Sequence, residues 1–233
     1  MLTDLSCAVI LEGQKRRGRE TDMAGKKERV LTEAEQRRSD RLEQITLEMQ
    51  MKGYRRQDLT IDIVKANVIL LVTGIPFAVA SIVLFFFAGW TVEFEGGIVN
   101  TVIQLVALLA LTAVHELIHG FTWSLFCENG WKDIEFGFIV KNLTPYCTCA
   151  TPLPKRHYIL GALMPLIVLG IIPYAVSFFI GNFLLLMAGI IMILGAGGDI
   201  MLVMKLLRFK GGSEDVIYDH PTEAGSVVFT KQI

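Results

Sequence analysis

Residues 98–126 read IVNTVIQLVALLALTAVHELIHGFTWSLF, a stretch without Lys, Arg or Asp and with a single Glu. A helix needs roughly 20 apolar residues to cross a hydrocarbon layer about 30 Å thick. Backbone polar groups in lipid must be satisfied internally, so a run of this length is best interpreted as a membrane-crossing helix. The sequence therefore predicts a span here, with His115, Glu116 and His119 inside it.

Three further apolar segments have a similar length and run from about Ala66 to Gly89, Tyr158 to Ile180 and Phe183 to Met204. The whole chain is 52% hydrophobic with a mean hydropathy of +0.50, which is too apolar for an ordinary soluble domain. The predicted fold class is an all-α membrane protein with four transmembrane helices.

The basic residues of the connecting segments indicate the orientation of these spans. Lys and Arg precede the first span, lie between the second and third, and follow the fourth, whereas residues 90–97 contain two Glu and no base. All basic clusters then fall on one side of the membrane. We expect an integral, multi-pass protein whose N- and C-termini are both cytosolic.

The polar remainder of the chain flanks this membrane region. Residues 1–57 form a charged cytosolic arm with a helix at 31–52, which Thr32 and Glu35 begin as a capping box. The helix could lie on the membrane surface, bind a partner or be a solvated part of the arm. Residues 58–210 form the four-helix domain and residues 211–233 a polar C-terminal tail. We expect lipid but no nucleic acid among the partners, and the sequence leaves the oligomeric state open.

The connection between the second and third spans has the pattern of a short β-hairpin-like loop. Apolar residues alternate through 134–140, residues 142–145 supply a turn, and residues 146–150 can return as a second strand. An unwound peptide could pair with the strand at 134–140 as an added strand.

The His-Glu-x-x-His motif at residues 115–119 carries the chemistry. On a helix, two His four residues apart project from one face and can reach one metal ion, while the adjacent Glu can accept a proton from water. Roughly 0.004 such motifs are expected by chance at this composition. Ionisable residues inside an apolar helix each cost about 2.5 to 3.5 kcal/mol, so they require compensation. The alternative is a polar helix face hydrogen-bonded to its neighbour.

Asp199 is the predicted third metal ligand, because a catalytic zinc usually has three protein ligands and one open position. No other acidic or imidazole side chain lies within the four predicted spans beside the motif itself. Asp199 comes six residues before Lys205, and His119 nine before Glu128, or roughly 9 and 14 Å at helical rise. The two side chains should therefore lie at similar depth, and the small residues 195–198 permit close helix approach.

Several loop residues could assist at such a site. The substrate-binding candidates are Asn142, Tyr146 and His157. Three cysteines near the loop either are reduced thiols or bind a second metal: Cys127, Cys147 and Cys149.

The chain resembles membrane zincins of the site-2 protease type, in which one membrane helix carries His-Glu-x-x-His and a later one an Asp ligand. It is more closely similar to a family of small prokaryotic membrane proteins described as zincin peptidases within a domain of unknown function. The resemblance covers roughly residues 50–210 and rests on His115 to Phe121, Pro145-Tyr146-Cys147, Pro165 and Gly198-Asp199. Site-2 proteases typically follow the Asp with Gly, whereas Ile200 stands here.

The resemblance implies a zinc ion held by His115, His119 and Asp199, with Glu116 as the general base. It implies a membrane-embedded zinc metallopeptidase that cleaves a protein or peptide substrate, in a prokaryotic cell membrane. Two other classes are compatible with one sequence: a catalytically silent zincin fold that acts as a binding or regulatory partner, and a metal transporter. The transporter is less favoured because the ionisable groups occur at one depth only.

Overall fold

The structure is a computed structural model that describes residues 31–92, 97–139 and 144–232. The predicted substrate residue Asn142 lies outside these described residues, as do the loop tip of the predicted hairpin and the first part of the charged arm. The chain divides into two compact units, Met1–Arg41 and Leu42–Ile233. The sheet, the long helices and the candidate site described below all belong to the second unit.

The first helix, α1, runs from Glu33 to Met51. It begins at the predicted capping box: the Glu35 backbone N–H donates to Thr32 Oγ1 (3.3 Å), and the Thr32 N–H donates to the Glu35 carboxylate (2.9 Å). These two bonds satisfy donors that a helix start leaves unpaired. A helix therefore occupies Glu33–Met51 within the predicted range 31–52, and its cytosolic location stays a prediction.

The long apolar helices follow in chain order. They are α2 (Ile63–Phe87), α3 (Ile98–Ser124) and α4 (Lys155–Ile180). A π-helical turn, Leu166–Ile171, interrupts α4 just after Pro165; prolines and π-turns are both places where helices commonly bend. Each of these three helices is long and apolar enough to cross a membrane.

The fourth predicted span is two helices rather than one. α5 (Phe183–Gly195) and α6 (Gly197–Arg208) meet at an angle of 46° and together could make a fourth span. The break falls at Ala196, between two glycines, and glycine is a poor helix former because it loses the most backbone freedom. The bend places Asp199 in the first turn of α6.

Two small β-structures complete the mostly helical fold. β2 (Ile134–Ile139) and β3 (Thr144–Cys149) form the antiparallel hairpin that the alternation predicted. The other strands are Tyr54–Thr60 (β1), Leu153–Pro154 (β4), Val216–Asp219 (β5) and Gly225–Lys231 (β6). They form a four-stranded antiparallel sheet in the order β1–β6–β5–β4.

The sequence did not predict this sheet, because it indicated only a polar tail over residues 211–233. The strands β5 and β6 are short, and the pairing of β6 with β1 joins segments that are far apart in the chain. Such non-local pairing leaves no periodic signal of its own. The available signal was local: two short runs of β-branched and aromatic residues, Val216–Tyr218 and Val227–Phe229, flank a turn-like segment with Pro and Gly.

The sheet lies between two apolar layers. On one face Ile217 and Val228 pack with Trp123 and Tyr158 of the long helices. On the other face Tyr218, Val227 and Phe229 pack with the α1 side chains of Leu42 and Met49. The C-terminal hairpin, formed by β5 and β6, is thus part of the same core that surrounds α3, the helix that carries the His-Glu-x-x-His motif.

A candidate metal centre

Two histidines and one aspartate meet at the bend of the α5–α6 pair. His115 and His119 lie one turn apart on α3, and both are buried. His115 Nε2 is 3.1 Å from His119 Nε2 and 3.2 Å from Asp199 Oδ2, and His119 Nε2 is 3.5 Å from the same oxygen. The structure therefore brings the three predicted ligands together from two helices.

The three donor atoms form a triangle of the size that zinc requires. Zinc–nitrogen and zinc–oxygen bonds are about 2.0 to 2.1 Å, so two ligands of a tetrahedral ion lie about 3.3 to 3.4 Å apart. The observed edges of 3.1, 3.2 and 3.5 Å bracket this spacing. Imidazole nitrogen and carboxylate oxygen are also ligand types that zinc prefers. The residues present fit a zinc ion with three protein ligands.

The orientation of His119 is fixed from outside the triangle. Its Nδ1 lies 2.9 Å from the backbone carbonyl of Gly161 on α4. Nδ1–H donates to this oxygen, which leaves the Nε2 lone pair for a metal. A methyl group at Gly161 would meet the Trp123 indole at 2.1 Å, so only glycine lets α4 approach α3 this closely.

Glu116 lies next to the triangle, on the side where the structure is open. It is half-buried and lines a cavity of about 390 Å³ together with both His and Asp199. The backbone N–H of Cys147 on β3 lies close enough to interact with its carboxylate. The cavity continues between the start of α2, at Asn67 and Leu70, and the bend before α6. A substrate chain of modest width can occupy such a space.

The remaining predicted site residues have different positions. Tyr146 lines the cavity, and its ring covers Gly137 on the neighbouring strand. His157 instead stacks on Phe126, with ring centroids 4.1 Å apart and planes inclined by 9°. Their roles in substrate binding stay predictions, and the structure associates only Tyr146 with the cavity.

The cysteines lie on β3 and at the end of α3. Cys147 lines the cavity, and Cys149 Sγ is 2.7 Å from Cys127 Sγ. Burial raises the pKa of the Cys147 and Cys149 thiols well above the usual value, which disfavours the thiolate form that binds metals. The sequence left two interpretations of these cysteines open, reduced thiols or a second metal site, and this environment favours reduced thiols.

Sequence reasoning missed an acidic residue of the cavity wall, Asp219. It lies at the end of β5 in the C-terminal hairpin and lines the cavity with Glu116. Its position depends on the unpredicted sheet, so the sequence held no direct signal for it beyond the strand pattern of residues 216–218.

Comparison with known proteins gives a family for the region that contains the site. A search of curated proteins and a search of solved structures each returned no match to the chain. A family model described as "Putative zincin peptidase" matches residues 108–213. This segment contains the motif, the β2–β3 hairpin, α4 and Asp199, and the matched family is the zincin-peptidase family that the sequence resembles.

Proposed function

We propose that this protein is a membrane-embedded zinc metallopeptidase that hydrolyses peptide bonds of a protein substrate at or near the membrane. The observation that supports it most directly is the zinc-sized triangle of His115, His119 and Asp199, with Glu116 beside it in an open cavity. The family match over residues 108–213 supports the zinc peptidase class.

Exposed apolar side chains support the membrane setting. Along α2 and α3, side chains such as Val72 (67% exposed) and Leu109 (73% exposed) face outward over most of the helix length. Soluble monomers rarely expose contiguous apolar surface on this scale. A lipid environment removes the cost, and the broken α5–α6 pair is tolerated there because it lines a cavity.

The two termini are proposed to be cytosolic, from the distribution of basic residues. The test uses single cysteines introduced at Glu223 and Gly89 in a background in which the native cysteines are replaced by serine. A membrane-impermeant thiol reagent should label Glu223→Cys only after the cells are opened and Gly89→Cys in intact cells. Labelling of Glu223→Cys in intact cells would exclude this orientation.

The residues of the site have separate chemical roles in the proposed reaction. A zinc ion held by His115, His119 and Asp199 would supply Lewis-acid activation of a carbonyl group and of water. Glu116 is positioned to accept the proton from the attacking water and then to donate it to the leaving amine. The side chains of His115, His119 and Asp199 already lie at zinc-ligand spacing, so binding a zinc ion requires little movement of these side chains.

The edge of β3 offers a place for the substrate backbone. The Cys149 N–H donates to Asp219 and so points away from β2, and Cys147, two residues earlier, points the same way. This edge faces the cavity at Pro145 and Cys147. Pro145 has no N–H, and the N–H groups of Cys147 and Cys149 already lie at the carboxylates of Glu116 and Asp219. We therefore propose that the substrate backbone lies in the cavity alongside β3, whereas the sequence had suggested pairing with the strand at 134–140.

The peptidase proposal is tested by reconstitution. The purified protein is placed in liposomes with a set of lipid-anchored, internally quenched peptides, and fluorescence is followed before and after treatment with a zinc chelator. We expect cleavage that chelation abolishes and one equivalent of zinc restores. Cleavage that persists without the metal would contradict the proposal, and zinc binding without any cleavage would favour the silent zincin fold.

A further inference from the structure

Asp219 accepts a hydrogen bond at the cavity wall through each of its carboxylate oxygens. Oδ1 accepts from the hydroxyl of Tyr158 on α4, and Oδ2 accepts from the backbone N–H of Cys149 on β3 at 3.2 Å. Asp219 lies outside residues 108–213, in the C-terminal hairpin. One carboxylate therefore joins that hairpin to two elements that flank the site.

The first bond leads to the metal ligand His119 through a stack of rings. Tyr158 is fully buried and stacks on Trp123, with ring centroids 5.3 Å apart and planes inclined by 21°. Trp123 stacks in turn on His119 at 5.1 Å and 16°, and its Nε1–H donates to the Tyr158 carbonyl. The tyrosine hydroxyl is the polar end of this stack, and Asp219 fixes it.

The second bond leads to Glu116 through strand β3. Asp219 holds Cys149, and the backbone N–H of Cys147, two residues earlier on the same edge, lies close enough to interact with the Glu116 carboxylate. A shift of β3 would move this donor relative to Glu116. The same aspartate thus bears on the metal ligand and on the proposed general base.

We propose that Asp219 is a positioning residue that holds His119 and Glu116 in register through Tyr158 and β3. This role rests on the proposed zinc site. It assigns a function at that site to strand β5, which lies outside the matched family region. Residues that orient metal ligands without touching the metal typically contribute about 10- to 100-fold in metal affinity. This range sets the size of effect expected here.

The test uses Asp219→Asn and Tyr158→Phe, which keep the side-chain shapes. Asparagine places an NH₂ group opposite the Tyr158 hydroxyl or the Cys149 N–H, so one of these two hydrogen bonds to the carboxylate is lost. Phenylalanine removes only the tyrosine hydroxyl. Glu214→Gln is the matched control, because it removes a carboxylate of the same C-terminal segment that forms an ion pair with the exposed Lys231 and does not line the cavity. The readouts are zinc affinity by chelator competition and the visible spectrum of the cobalt-substituted protein.

We expect Asp219→Asn to weaken zinc binding by about 10- to 100-fold and to change the cobalt spectrum, while Glu214→Gln matches the wild type. Tyr158→Phe should add little further loss in the Asp219→Asn background, because the two residues act through one bond. If the wild type binds metal and Asp219→Asn has the same metal affinity and cobalt spectrum, the positioning role is wrong and the proposed function stands. Fully additive losses from Asp219→Asn and Tyr158→Phe would have the same consequence. A wild type that binds neither cobalt nor zinc would overturn the proposed function as well.

Discussion

Glu116→Gln should slow peptide cleavage by about 10²- to 10⁴-fold while the protein retains its zinc. Glutamine keeps the size of the side chain and cannot accept a proton from water, so the loss falls on the chemical step. General base catalysis typically contributes about 10²- to 10⁴-fold, and we expect kcat to fall by this factor with little change in KM. The measurement is cleavage of the lipid-anchored peptides, with zinc content determined on the same preparation.

The matched control for this variant is Glu128→Gln. Glu128 is exposed just after α3 and is not part of the cavity wall, so its replacement should leave turnover unchanged. If Glu116→Gln cleaves as fast as the wild type, Glu116 is not the base. If both wild type and variant bind zinc and neither cleaves, the chain is a silent member of its fold class.

Much of the site could be predicted because its signals are local. The spacing of His115 and His119 requires only that residues 98–126 form a helix, and the lack of other acidic groups in the apolar segments singled out Asp199. The helix at 31–52 and the hairpin at 134–150 followed from a capping box and from period-two alternation. In each case neighbouring residues determine the structure.

The rest depends on contacts between distant segments. The four-stranded sheet pairs Tyr54–Thr60 with Gly225–Lys231, and no local pattern determines which short strand meets which. Asp219 reaches the cavity only through that pairing. The bend at Ala196 was also missed, because the glycines around it are equally compatible with close packing of a straight helix.

Asp199→Ala should remove most of the bound zinc. The variant deletes one of three protein ligands and leaves two buried imidazoles to hold the ion. Since even residues that only orient a ligand contribute about 10- to 100-fold in affinity, loss of the ligand itself should cost more than about 100-fold. The measurement is zinc stoichiometry after dialysis against a chelator of intermediate affinity.

Asp40→Ala is the control for this experiment, because Asp40 is an exposed carboxylate on α1. Its zinc content should equal that of the wild type. Full zinc retention by Asp199→Ala would mean that the carboxylate is not a ligand and that the fit of the triangle to a metal ion is coincidental.

The most direct test of the account is zinc K-edge X-ray absorption of the purified, zinc-loaded wild type. Two imidazoles and one carboxylate predict a first shell of nitrogen and oxygen at about 2.0 to 2.1 Å, without sulfur. A sulfur shell at about 2.3 Å would place the metal on cysteines such as Cys147 instead, and it would contradict the proposed centre.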